Sequence, residues 1–204
     1  MRSGRGAEAL ALARRLYARP LRREGKTVAH GLAVARLVAA EQCAPNVVIA
    51  GLLHDIVEDT DLTSGALRER VGDEVAGMVA DLSEDPGIDD YVERKRVLRE
   101  HVAGACRDVA IIALADKLAK LRQRAADGQL STPSALEHYR ESALSLMRRH
   151  GPMPLVDAVL DEVALAAYAA AGFAGPSTRA PGGRGGSRPP AARRRPSRPR
   201  ARAG

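Results

Sequence analysis

The chain has 204 residues and a formal net charge of +7, with hydrophobic residues at 45%, aromatic residues at 2% and no tryptophan. That is enough apolar mass for one enzyme-sized core, which with so few rings must be built from Ala, Leu and Val and so favours helices. The two cysteines, Cys43 and Cys106, stand apart, which argues against a disulfide framework or a zinc ribbon and fits a reducing, cytoplasmic setting.

In chain order, residues 7–19 read as a helix stopped by Pro20, and Glu8, Arg14 and Arg15 break up its apolar stretch too soon for a signal peptide. Helices follow at 28–42 and at about 46–59, the latter with Pro45 near its start. Thr63 or Ser64 is placed to cap a short helix through Val71, ended by Gly72, and 73–82 continues as another. Further helices span 89–103, 107–125, 133–150 and 154–171, with Pro86-Gly87 and Gly151-Pro152 as breaks. No segment alternates apolar and polar residues as a strand would, so the fold class is all-α. The longest apolar run, 163–174, falls short of the roughly 20 residues that cross a bilayer, and no membrane segment is expected.

From Gly172 the composition turns to Gly, Pro, Ser and Arg, with nine arginines and no acid. This predicts a folded domain over 1–171 and a disordered basic C-terminal tail over 172–204. The tail carries more than the whole net charge and leaves about −2 for the domain, so nucleic-acid binding, if any, is expected to be weak and to reside in the tail. Arginine outnumbers lysine 28 to 4. Arginine content is therefore a compositional bias, and the positions of the four lysines say more.

Two apolar helices carry polar residues where a core is expected. Val47–Leu53 is followed by His54-Asp55, then Ile56-Val57, then Glu58-Asp59; with four-residue spacings, a continuous helix presents an imidazole and three carboxylates on one face. Burial of such groups costs several kcal/mol unless they are paired or metal-bound. Two readings stand: a metal site, or a helix end turned to solvent with a core histidine. Asp116 inside the run Val109–Leu121 and His30 at the start of 28–42 favour the first. His30, His54, Asp55 and Asp116 together offer two nitrogens and two carboxylates without thiolate, a set suited to Mn²⁺, Fe²⁺ or Mg²⁺ with open positions for catalysis.

A His, a His-Asp doublet and a distant Asp resemble the signature of the HD-domain metal-dependent phosphohydrolases. Leu52-Leu53-His54-Asp55-Ile56-Val57-Glu58-Asp59-Thr60, Glu93-Arg94-Lys95-Arg96 and Leu114-Ala115-Asp116-Lys117-Leu118 resemble motifs of the RelA/SpoT-type (p)ppGpp hydrolase domains, over about residues 10–150. The resemblance implies an HD-domain helical bundle acting as a small stand-alone alarmone hydrolase. It implies a Mn²⁺ ion on His30, His54, Asp55 and Asp116, Glu58 and Asp59 as catalytic acids and bases, and GDP or GTP plus pyrophosphate as products. Arg22, Arg23, Lys26, Lys95, Lys117 and Lys120 are then candidates for binding the nucleotide substrate, with Tyr139 and Arg140 within possible reach. Three features depart from the family: His30-Gly31 replaces His-Pro, the segment before it is one residue shorter, and Lys120 replaces an Asn. Alternatives are an HD phosphohydrolase for another nucleotide or dinucleotide cofactor, or a regulatory module docked on nucleic acid by its tail. Oligomeric state leaves no mark in the sequence.

Overall fold

A computed structural model describes residues 3–22 and 26–171; Arg23 and the expected tail lie outside the described residues. Among the described residues there is no strand. The helical segments are α1 (Ser3–Tyr17), α2 (Val28–Ala40), α3 (Pro45–Leu53), α4 (Ile56–Asp59), α5 (Ser64–Val71), α6 (Asp73–Leu82), α7 (Tyr91–Gly104), α8 (Arg107–Ala126), α9 (Pro133–His150) and α10 (Pro154–Ala170). None is long and apolar enough to cross a membrane.

The boundaries follow local chemistry. Thr63, Asp90 and Thr132 cap α5, α7 and α9 by accepting hydrogen bonds from the backbone N–H three residues on. Proline opens α3, α9 and α10, where its missing N–H costs nothing. Gly72 and Gly151 end α5 and α9 at φ 87° and 78°, a region that favours glycine.

Helix α8 forms the axis of the fold. Its segment Val109–Ala115 is buried throughout, and it packs against α2, α3, α6, α7, α9 and α10. Leu53 and Ile56 on one side and Ile112, Leu114 and Leu118 on the other are fully buried and close the centre. Helix α2 lies along α3 at very short range. A Cβ built on Gly31 would stand 2.4 Å from the Leu52 backbone oxygen, so only glycine fits here, which gives the His30-Gly31 pair its physical reason.

The expected helix over 46–59 is in fact broken at His54-Asp55. The His54 side chain takes the Gly51 carbonyl, with Nδ1 donating at 2.9 Å, and Asp55 sits at φ −94° and ψ −1°. A side chain that enters the helical ladder in this way bends or interrupts it. The next turn restarts on the Asp55 carbonyl, which accepts from Glu58 and Asp59, and Thr60 ends it by donating its hydroxyl to Ile56 O at 2.6 Å.

Gly31→Ala should destabilise the protein by about 1–3 kcal/mol, because a backbone carbonyl must move to admit the methyl. Gly77→Ala, in the interior of α6 with open space around its Cα, should instead stabilise by about 0.5–1 kcal/mol through helix propensity. Urea unfolding of the two variants beside wild type checks both signs.

Candidate metal centre

His30 on α2, His54 and Asp55 at the α3–α4 break and Asp116 on α8 meet where the three elements cross. One ligand atom from each lies within 4.8 Å of all the others. His30 Nε2 is 2.8 Å from Asp116 Oδ1, and His54 Nε2 is 3.2 Å from the same oxygen and 3.3 Å from Asp55 Oδ1. Ligands bonded to one ion at about 2.0–2.2 Å and a right angle apart stand about 3 Å from each other, so these spacings fit a shared cation.

The tautomer of His54 fits as well. Nδ1–H is spent on the Gly51 carbonyl, which turns Nε2 toward the carboxylates, and Nε2 is buried without a hydrogen bond. Burial alone would lower His54, but Asp55 and Asp116 outweigh it and raise it to about 10, so this nitrogen calls for positive charge, whether proton or metal ion. Burial acts to raise Asp55 and Asp116. His54 and Lys120 overcome it at Asp55, and Lys120, His30 and His54 do so at Asp116, so both stay ionised. The donor set of two imidazoles and two carboxylates could hold a divalent ion.

The second oxygen of each aspartate faces a lysine. Lys26 Nζ stands 3.3 Å from Asp55 Oδ2, and Lys120 Nζ stands 2.8 Å from Asp116 Oδ2. These two candidates for substrate binding are thus brought to the carboxylates of the cluster, which they neutralise and orient.

From this centre a cleft of about 640 Å³ runs between α7 and α9, large enough for a nucleotide. Glu58 lines it, one oxygen accepting from the Glu84 N–H at 2.7 Å. Lys95 and Lys117 line it too, Lys95 paired with Glu84, whereas Lys117 Nζ reaches the Ala113 carbonyl at 3.5 Å. Burial pulls Lys117 down to about 8 against the attraction of Asp116. Tyr139 is on the wall; Arg140, with its partner Glu137, is exposed.

Other candidates are not brought to the cleft. Asp59 is 1% exposed and accepts from the Tyr17 hydroxyl at 3.0 Å, with Lys26 4.0 Å from its other oxygen. The break at His54-Asp55 separates the two acids: Asp59 turns inward to Tyr17, while Glu58 lines the cleft with His54 and Asp55. Arg22 turns its side chain to Asp61 at the surface, while its backbone N–H donates to Asp59 O at 2.9 Å.

Sequence reasoning missed Arg99, His138 and Tyr91 on the cleft walls. Nothing but the packing of α7 against α9 marks them out. Three of the four tyrosines in the chain gather here, Tyr91 and Tyr139 on the wall and Tyr17 behind Asp59.

The HD domain family matches residues 9–140. Among curated proteins, the guanosine-3′,5′-bis(diphosphate) 3′-pyrophosphohydrolase MESH1 of Drosophila melanogaster is 36% identical over 109 residues, 52% of this chain and 58% of that protein. The human protein of the same name is 33% identical over 113 residues, 54% of this chain and 60% of that protein. The chain thus spans less than two thirds of these relatives. A solved structure of a metazoan orthologue of SpoT, described as hydrolysing ppGpp, superposes with a TM-score of 0.63 at 26% identity, covering 84% of this chain and 97% of that one. The Listeria monocytogenes protein lmo0812 superposes with a TM-score of 0.60 at 28% identity, covering 67% and 92%.

His138 gives the cleft a measurable pH dependence. Burial first, then Lys117, Arg99, Lys95 and Lys120, lower it to about 4. Its folded value lies below the unfolded one near 6.5, so the unfolded chain binds the extra proton, and stability should decline as pH falls from about 6.5 toward 4. His138→Gln should flatten that part of the profile, read by urea unfolding at steps between pH 7 and pH 4.5.

Proposed function

Because this chain belongs to the HD domain family, we propose that it is a metal-dependent phosphohydrolase that removes the 3′-pyrophosphate of guanosine tetra- and pentaphosphate. The products are GDP or GTP and pyrophosphate, the ion is Mn²⁺ in preference to Mg²⁺ or Fe²⁺, and the setting is the cytoplasm. The observation that carries this reading is the His30-His54-Asp55-Asp116 cluster, with His54 buried and the other three half-buried, at the end of a cleft whose walls bear Lys95, Arg99 and Lys117. The names carried by its curated relatives support the choice of substrate.

His30, His54, Asp55 and Asp116 would hold the ion, which when bound acidifies water and draws charge from a phosphate oxygen. Glu58 stands in the cleft beside this cluster and takes the proton of the attacking water. The water oxygen bonds to the phosphorus next to the ribose, the bond from that phosphorus to the 3′-oxygen breaks, and the 3′-oxygen leaves with a proton returned from Glu58. Lys95, Arg99 and Lys117 meet the phosphate charges along the wall. Asp59 acts from behind, holding Tyr17 and facing Lys26, and so steadies the lysine beside Asp55.

A second reading, a phosphohydrolase for another nucleotide, draws on Lys120, which is tied to Asp116. Purified protein with Mn²⁺ should release pyrophosphate from guanosine tetraphosphate faster than it turns over NADPH or GTP, and faster turnover of either would overturn the substrate. Asp55→Ala should abolish activity and lower bound Mn²⁺, measured by elemental analysis after dialysis. Glu58→Gln should keep the metal and lower kcat by about 10²; an unchanged kcat would remove Glu58 from the reaction.

A further inference from the structure

Tyr91 and Val92 line the cleft yet are 63% and 73% exposed. In a chain with four tyrosines, one phenylalanine and no tryptophan, rings are scarce, and the core does without this one. Its backbone is fixed, because Asp90 caps α7 and Tyr91 is the first residue of that helix. The ring is steadied too. The Arg94 guanidinium carbon lies 5.7 Å from its centroid and Lys95 Nζ lies 5.6 Å away. Both cations are anchored on Glu84, and Arg94 also donates to the Ile88 carbonyl at 2.7 Å. The outcome is an aromatic surface oriented by anchored neighbours and left mostly open to solvent at the cleft.

A nucleotide with phosphates at both ends of its sugar needs cations for the phosphates and an apolar seat for the base. The metal cluster, Arg99 and Lys117 supply the first. We propose that Tyr91 supplies the second, as the platform on which the purine stacks, with Val92 extending the apolar surface. Tyr91 thereby selects a nucleotide over a base-free phosphate. Stacking uses the π-face that every base has, so this contact does not tell guanine from adenine. The inference rests on the nucleotide phosphohydrolase reading above.

The test is steady-state turnover of guanosine tetraphosphate by wild type, Tyr91→Ala and Tyr91→Phe, with inorganic pyrophosphate as inhibitor. Tyr91→Ala should raise KM about tenfold or more while kcat stays within about twofold. Tyr91→Phe, which keeps the ring, should restore the wild-type KM. Pyrophosphate, which has no base, should inhibit all three equally. An unchanged KM in Tyr91→Ala, or pyrophosphate inhibition weakened in parallel with KM, would overturn the role of Tyr91 and leave the activity standing. No turnover by wild type would overturn the substrate reading and the inference with it.

Discussion

Two ionised aspartates half-buried among helices are the constraint on which the rest of this molecule turns. A carboxylate largely withdrawn from water costs free energy, and partners on both oxygens offset that cost. Asp55 and Asp116 each direct one oxygen toward the imidazoles and the other toward a lysine. The partners come from the segment before α2, the α3–α4 break and α8, so the electrostatics fix how these elements cross. The 2.4 Å that a Cβ on Gly31 would leave to the Leu52 oxygen is the steric side of the same crossing.

The sequence makes the candidate cluster legible because His30, His54, Asp55 and Asp116 interrupt apolar runs that have to be buried. Runs that share a core bring their interruptions together. The directions of Glu58 and Asp59 are not legible in this way. Their four-residue spacing from His54 and Asp55 assumes a continuous helix, whereas the hydrogen bond from His54 to Gly51 breaks it and turns Asp59 toward Tyr17. Gly31 is hidden for a related reason, since its need for a missing side chain arises from a second helix distant in sequence. Arg99 and His138 read as ordinary positions on amphipathic helices, and only the approach of α7 to α9 makes them cleft walls.

The site is thus made of two layers of unequal firmness. The layer that carries the His/Asp cluster belongs to α2, α3 and α8, which contribute much of the buried core. Helix α7, by contrast, buries only Val102 fully, packs Leu98 and Ala103 partly against the core, and adds ion pairs such as Arg94–Glu84 and Arg99–Glu141. Segments with few buried apolar contacts open at lower free energy than the core. The cluster therefore rests on the core, while the wall that meets the rest of a ligand rests more on capping and ion pairs.

The placement of the tyrosines has an optical consequence. With no tryptophan and one phenylalanine in the chain, near-ultraviolet absorption and emission come chiefly from four phenol rings. Tyr17, Tyr91 and Tyr139 stand on or just behind the cleft. Intrinsic emission and near-ultraviolet dichroism of this protein are therefore dominated by the surroundings of its site rather than by its core, and an unlabelled sample carries its own reporter of occupancy.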